Sequence, residues 1–246
     1  MTARPDTPRS RRERPAKPAL SREAIVAAAV AVLRAEGLPK VTMRRLAQEL
    51  DTGPASLYVY VRNTAELHAA VLDELLGTIG PAPAGGSWRE RLEAVLTAYT
   101  TMLMEHPTLA RSALTAWPNG PHYLDLIETL LALLDEGGVP SAQAAWGVDL
   151  LLQHATASAA EHAPGGAPQE DWNTLARALR EASERTHPHI AARAGDLLSG
   201  APQARRSWKL RALVDGIART AVPGPADLAD PDDPAAGRTP LQGDPS

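Results

Sequence analysis

The sequence predicts an all-α fold, with a small three-helix domain at the amino end and a larger helical bundle after it. Apolar residues recur at spacings of three and four over most of the chain, as on the buried face of a helix. Residues that favour helices, chiefly Ala, Leu, Arg and Glu, are abundant, and runs of β-branched residues are few. Breaks rich in glycine and proline divide this pattern into separate helical segments.

The composition is that of a globular protein and excludes several kinds of chemistry. Of the 246 residues, 44% are hydrophobic and 22% are charged, and there is no cysteine. Disulfides, thiolate metal sites and cysteine nucleophiles are therefore excluded. No run of about 18 apolar residues occurs, and the amino end lacks the apolar core of a signal peptide. We therefore expect a cytoplasmic protein without a membrane partner.

The charge is distributed unevenly and suggests four regions. Residues 1–66 contain 12 Lys and Arg against 7 Asp and Glu, whereas the remainder contains 13 against 22. A basic amino end on an acidic body favours a polyanionic partner at that end. We predict a disordered basic arm at 1–20, a first domain at 21–67, a second at 68–222 and a disordered acidic, proline-rich tail at 223–246.

Two short helices flank a tight break near residue 51. Thr42 is placed to cap the first of them, over about 42–51. Asp51 and Thr52 form the break, because Asp tolerates a left-handed or turn conformation. Gly53 is an acceptable cap for the second helix, with Pro54 at its first position, and the helix is expected to continue through residue 60.

The other helices are delimited by caps and breaks. Ser21 can cap a first helix that Gly37 ends in a left-handed conformation. Asn63 and Glu66 make a start resembling a capping box for a helix from about 64 to 79. Further helices are predicted near 87–105, 107–116, 121–136, 141–163, 170–186, 190–199 and 203–221.

The two short helices fit a helix-turn-helix, whose second helix enters the major groove of DNA. We expect the Leu57 side chain to point inward and to anchor the second helix to the first. Small and hydroxyl side chains can read base edges, whereas arginines and tyrosines can contact phosphates. The predicted DNA-contacting residues are Thr42, Arg44, Arg45, Thr52, Gly53, Pro54, Ala55, Ser56, Tyr58 and Tyr60. The alternative is two ordinary packed helices with a short link.

The stretch from Leu20 to Leu76, with its core TMRRLAQELDTGPASLYVYV at 42–61 and NTAEL at 63–67, resembles the TetR/AcrR family of regulators. The resemblance implies a homodimer that binds a palindromic double-stranded DNA operator and leaves it when a small-molecule effector of unknown identity binds the helical domain. Residues 120–161 are more faintly similar to the C-terminal domain of the tetracycline-repressor branch. Two positions depart from the family: Asp51 replaces the usual Gly, and Thr64 replaces the usual Lys.

The segment 142–162 is apolar nearly all round, which predicts either a central core helix or a subunit interface. With the helix at 203–221 it would form a four-helix dimer interface. Polar and adaptable side chains inside such helices suggest an effector pocket. The candidates are Met102, His106, Trp117, His122, Trp146, Gln153, His154 and Glu161. We expect no cofactor. We also expect no metal, because His154 and Glu161 lie two helical turns apart.

Two other classes of protein remain open on the residues alone. One is an enzyme, although the chain lacks a G-x-S-x-G motif and a phosphate-binding glycine loop. The other is a helical interaction protein whose basic arm only aids solubility. Salt-dependent DNA binding would distinguish a regulator from both.

Overall fold

The computed structural model describes residues 20–114, 118–162 and 169–224, and these form helices without strands. The predicted arm up to residue 19 and the tail from residue 225 lie outside the described residues, as does Trp117. The helices are α1 (Arg22–Glu36), α2 (Met43–Glu49), α3 (Pro54–Leu57), α4 (Thr64–Leu76), α5 (Trp88–Glu105), α6 (Pro107–Ala113), α7 (Pro121–Glu136), α8 (Ser141–His162), α9 (Gln169–Arg180), α10 (Pro188–Leu198) and α11 (Pro202–Arg219).

Side-chain caps fix the starts of the first helices. The Ser21 hydroxyl accepts a hydrogen bond from the Ala24 N–H at 3.1 Å, and the Thr42 hydroxyl accepts one from the Arg45 N–H at 3.2 Å. Both predicted caps are therefore confirmed. Each cap satisfies a backbone donor that a helix leaves without a partner at its amino end.

The start of α4 differs in one detail from the predicted capping box. Asn63 caps it by accepting from the Glu66 N–H at 2.8 Å. The Glu66 carboxylate does not return to the Asn63 backbone. It accepts from the N–H of Arg62 at 2.9 Å and from the Arg62 Nε at 3.0 Å. The arginine side chain offers a charged donor, which makes the stronger bond.

The break between α2 and α3 has the predicted form. Asp51 adopts a φ of 48°, the left-handed region that few residues other than glycine enter. The Thr52 N–H donates to the Ala47 carbonyl at 2.8 Å and closes the turn. Gly53 is extended, and Pro54 opens α3. The chain thus turns sharply between the two helices with a non-glycine residue at position 51.

Several helix ends differ from the sequence prediction. Helices α2, α3 and α4 end at residues 49, 57 and 76, each two or three residues early, and continue as turns. The predicted helix at 170–186 ends at Arg180, because the N–H groups of Thr186 and His187 bond to the Ser183 carbonyl in a turn before Pro188. Gly37 has a positive φ of 84° but a ψ of 164°, so its predicted left-handed helical conformation is wrong.

Helix α8 is the centre of the larger helical part and packs against α5, α6, α7 and α11. Gly147 permits the close approach of α11, because a Cβ there would lie 2.6 Å from the Ile217 Cγ2 atom. The Gln143 side-chain amide donates to the Ile217 carbonyl at 2.9 Å and fixes the same contact. Helices α9 and α10 pack mainly on each other.

Helix α4 is shared between the amino-terminal helices and the bundle. It packs against α1 on one side and against α5, α6 and α7 on the other. Seven of its thirteen residues are buried, including Leu67, Val71 and Leu72 at 1% exposure or less. One continuous apolar cluster therefore runs from α1 to α11.

We expect Leu57→Ala to lower the free energy of unfolding by about 2–5 kcal/mol, the usual cost of removing a large core side chain. Leu57 has no exposed surface and anchors α3 to the core. Its neighbour Val59 is 79% exposed, so Val59→Ala is the matched control. Urea titration of both variants would measure the difference. Equal stabilities would show that α3 is not anchored as described.

Candidate nucleic-acid interface and cavities of the helical bundle

The turn before α3 and α3 itself present a continuous exposed surface. Gly53, Pro54, Ala55 and Ser56 are exposed, and Thr52 is partly exposed. Leu57 points inward, whereas Tyr58 and Tyr60 are 53% and 38% exposed. The sequence-predicted residues of this segment are therefore accessible to a partner, with Leu57 as their buried anchor. Small side chains there leave room for a close approach to a base edge.

The arginines beside this surface differ in their partners. Arg45 forms ion pairs with Glu36 and Glu49, each at 2.8 Å, and these carboxylates raise its pKa. Arg62 is paired with Glu66 at 3.0 Å. Arg44 is exposed, and the ion pairs found within the described ranges do not include it. A phosphate has to compete with carboxylates for a hydrogen bond to Arg45, whereas it can bind Arg44 without displacing a carboxylate.

Thr42 lies at the amino end of α2 and is exposed. Its hydroxyl is already bonded to the backbone as a cap, but the N–H groups of the first turn still point outward. Such a helix end attracts an anion through its backbone dipoles. Thr42, Arg44 and α3 together form a surface that can accept a phosphate backbone on one side and base edges on the other.

A cavity of about 120 Å³ lies among α5, α6, α7 and α8. Its wall combines phenol, hydroxyl, amide and carboxylate groups with apolar side chains: Tyr99, Ala113, Leu114, Pro118, Tyr123, Asp149, Leu152, Gln153 and Thr156. The Tyr99 and Thr156 hydroxyls are hydrogen-bonded at 2.8 Å. Asp149 is the charged residue of this lining, and its negative charge adds to the effect of burial in raising the pKa of Tyr123.

A second cavity, of about 90 Å³, lies among α5, α8 and α11 and includes His154, Glu93 and Arg206. Partial burial lowers the pKa of His154, and the nearby Lys209 lowers it further. A third cavity, of about 320 Å³, lies where α4 and the following connector meet α5 and α7, and it includes His122.

The structure does not bring the predicted effector residues together in one place. Gln153, His154 and His122 belong to the three different cavities. The others lie outside these linings: Met102 is a buried core residue, His106 lies at the corner between α5 and α6, Trp146 is 53% exposed on α8, and Glu161 is exposed near the end of α8. Burial is the main factor that lowers the pKa of His106.

Sequence reasoning did not identify three residues of the first cavity: Tyr99, Tyr123 and Asp149. Tyr99 follows Leu92, Val95 and Leu96 on the buried face of α5, where a phenol hydroxyl needs a hydrogen-bond partner. The sequence alone could therefore have indicated Tyr99 as a buried polar residue with a nearby partner. Asp149 is the one charged residue in the apolar run 144–152 of α8, and its contact with a cavity depends on the packing of α7 against α8.

The described residues contain no group of three His, Asp or Glu side chains that could hold a metal ion. Within the same residues we find no helix with the length and apolar content that a membrane crossing requires.

An exposed helix-turn-helix joined to a helical bundle with internal cavities defines a class of proteins, the effector-responsive DNA-binding regulators. Comparison with known families agrees. Residues 25–71 match the family described as bacterial regulatory proteins, tetR family, and residues 80–221 match the tetracyclin repressor-like C-terminal domain. The chain belongs to the TetR family. Members of this family are DNA-binding regulators and not enzymes, which sets aside the enzyme interpretation.

Relatives and solved structures extend this finding. The chain is 38% identical over 125 residues to the HTH-type transcriptional repressor DrrR1 of Streptomyces coeruleorubidus, a match covering 50% of this chain and 46% of the relative. The chain thus spans about half the length of such curated relatives. The protein SCO7704 from Streptomyces coelicor, whose crystal structure is known, is 60% identical in sequence, and the two structures have a TM-score of 0.74 over 85% of this chain and 100% of the other. The TetR family protein ActR of Streptomyces coelicolor, in complex with (S)-DNPA, is 34% identical, with a TM-score of 0.70, covering 80% and 96%.

We expect the stability of the protein to fall between pH 10 and about 12 because of Tyr99. Burial raises the pKa of this phenol from 10.0 to about 12. The native state therefore keeps its proton where the unfolded chain loses it, and stabilisation present below pH 10 is lost as the pH rises to 12. The loss amounts to roughly 2–3 kcal/mol, at about 1.4 kcal/mol per pH unit.

Urea titrations over this pH range would measure the effect. Tyr99→Phe should remove it, whereas Tyr58→Phe, at an exposed position, should keep it. A wild-type pH slope that persists in Tyr99→Phe would show that other groups cause the loss.

Proposed function

We propose that the chain is a transcriptional repressor that binds a palindromic DNA operator as a homodimer in the cytoplasm and is released when a small molecule enters its helical domain. The observation that carries this proposal is the exposed segment from Thr52 to Tyr60, anchored by the buried Leu57, together with the exposed Arg44, which the ion pairs found among the described residues do not include.

In the proposed complex α3 lies in the major groove, with Ala55 and Ser56 towards base edges. An alanine methyl can pack on a thymine methyl, and a serine hydroxyl can bond to either a donor or an acceptor edge. The flanking phosphates are contacted by Tyr58, Tyr60, Arg44 and the amino end of α2. Arg45 contacts a phosphate as well when that phosphate displaces its carboxylate partners. The absent Lys at position 64 removes one possible phosphate contact, which the basic residues before position 20 can replace.

The outer surface of α8 and α11 supports the proposed homodimer. Trp146 and Leu150 on α8 are 53% and 41% exposed, and Trp208 on α11 is 66% exposed. Trp146 and Leu150 lie one turn apart on α8, and contiguous exposed apolar side chains favour a protein interface. Two copies joined through these helices would form a four-helix interface and place their α3 helices for successive major grooves, about 34 Å apart.

We place the effector in the cavity of Tyr99 and Tyr123 because its lining combines aromatic, hydroxyl, amide and carboxylate groups. ActR, a similar structure, is known in complexes with (S)-DNPA and with actinorhodin. For this chain we propose a small molecule with flat rings that lie against the two tyrosines and a hydrogen-bond donor that faces Asp149. The cavity is smaller than the roughly 300–1,000 Å³ that encloses a drug-sized ligand. Such a ligand must therefore displace the cavity walls as it enters.

We expect Arg44→Ala and Tyr58→Ala to weaken binding to the DNA that flanks the protein's own gene, without changing thermal stability. For Arg44→Ala the slope of log affinity against log salt should fall by roughly 1.8, because the bound dimer loses one phosphate contact in each subunit, at about 0.9 per contact. Fluorescence anisotropy with a labelled duplex would measure both. Arg111→Ala, which removes the same charge from an exposed position on α6, is the control. Normal binding by both variants would contradict the proposed docking.

Trp146→Glu and Trp208→Glu are expected to raise the dissociation constant of the dimer by roughly 30-fold or more, because a buried tryptophan anchor typically contributes about 2 kcal/mol or more. Sedimentation velocity at several concentrations would measure it. Leu124→Glu, at a 59% exposed position on α7, places the same charge away from this surface and should leave the dimer intact. Dimers of unchanged affinity in both tryptophan variants would place the interface elsewhere.

A further inference from the structure

Asp73 is a charged side chain on the buried, otherwise apolar face of α4. It lies on α4 at 8% exposure, and the other buried polar residues of the described chain are neutral: Thr100, Thr156 and Ser158. A buried carboxylate is costly unless hydrogen bonds compensate it. Such a residue in the helix shared by both halves of the protein therefore calls for a partner.

That partner is the amino end of α7. The Asp73 carboxylate accepts a hydrogen bond from the Tyr123 N–H at 2.9 Å. Gly120, the capping residue of α7, supplies no side-chain cap of its own. A Cβ at Gly120 would collide with the Asp73 carboxylate, so the absence of a side chain makes room for it. The carboxylate of one helix thus caps another, where a negative charge also meets the positive end of the helix dipole.

A second close contact lies one turn further along α4. A Cβ on Gly77 would lie 2.8 Å from the Nε2 atom of His122, so the imidazole packs directly on the backbone of Gly77. The first turn of α7 is therefore held on the last turns of α4 at two points, one polar and one steric. A rigid contact of this kind transmits a displacement instead of absorbing it.

The residue that Asp73 holds also lines the candidate effector cavity. The Tyr123 backbone N–H bonds to Asp73, while Tyr123 contributes to the lining shared with Tyr99 and Asp149. The path from the cavity to the shared helix is therefore one residue and one hydrogen bond long. From α4 it continues into α1 through their apolar contact.

We infer that Asp73 is the positioning residue that couples occupancy of this cavity to the DNA-binding helices, by tying the amino end of α7 to α4. The inference rests on the proposed function for the identity of the cavity. A molecule that displaces Tyr123 pulls the carboxylate of Asp73 and with it α4. Helices α5 and α6 also pack on α4 and line the cavity, so Asp73 carries one of three connections.

The hydrogen bond itself can be tested without DNA or effector. In Asp73→Ala the Tyr123 amide should lose protection against hydrogen exchange by about 10- to 100-fold, the range for one bond to a charged acceptor. Asp73→Asn keeps an acceptor oxygen, so the Tyr123 amide should lose less protection in this variant. It replaces the alanine variant if that variant does not fold. Glu74→Ala removes an exposed carboxylate from the neighbouring position of α4 and should leave this protection unchanged. Full protection in Asp73→Ala would overturn the inference.

The coupling can be tested with a side chain in place of the effector. Gln153→Trp fills the cavity from α8, a helix outside those packed against α4 in the described part of the chain. We expect it to change the amide chemical shifts of α4 and α1. In the Asp73→Ala or Asp73→Asn background these changes should shrink severalfold, whereas the Glu74→Ala background should retain them.

A double-mutant cycle of this design isolates the coupling from the stability lost at each site. If Gln153→Trp changes the amide chemical shifts of α4 and α1 equally with and without Asp73, then Asp73 is only a structural cap, and the inference is overturned. The readout needs neither DNA binding nor a dimer, so a failure here is distinct from a failure of the proposed function. Normal coupling together with absent DNA binding would leave the inference standing and contradict the repressor.

Discussion

The rest of the structure depends on the burial of α4 from two sides. Leu67, Val71 and Leu72 are fully or almost fully buried, although the helix connects two parts of the chain instead of lying inside one. Apolar surface on opposite sides of a helix has to be covered by different elements. Helix α1 covers one side, and α5, α6 and α7 cover the other. Helix α4 therefore connects α1 with α5, α6 and α7, three helices that line the first cavity, and a displacement of those helices has a physical route to α1.

The geometry of the DNA-binding surface was largely predictable from the sequence because local chemistry determines it. Ser21, Thr42 and Asn63 cap the helices that they precede, and Asp51 adopts the left-handed conformation that the break requires. Each of these effects acts within a few residues, so a linear pattern contains it. The exact helix ends were less predictable, because the last turns of α2, α3 and α4 continue as turns and such boundaries vary by one or two residues.

The cavities were not predictable in the same way. Polar residues inside apolar helices were a sound signal, yet Gln153 and His154, adjacent in sequence, belong to different cavities because they lie about 100° apart around α8. Which side of a buried helix faces a cavity depends on its neighbours. The same holds for Asp73, whose partner lies fifty residues away. The ion pair between Arg45 and Glu36 could not be predicted either, because nine residues and a turn separate the two side chains.

The central claim is that this chain recognises DNA through α3 as a dimer. Its most direct test is the affinity of the unmodified protein for duplexes that flank its gene, measured by fluorescence anisotropy over a series of salt concentrations and with the stoichiometry determined. The account predicts one dimer on one palindromic duplex, with affinity that falls linearly in log salt and stays well above that for a scrambled duplex. Equal, weak affinity for every duplex would contradict sequence-specific recognition by α3.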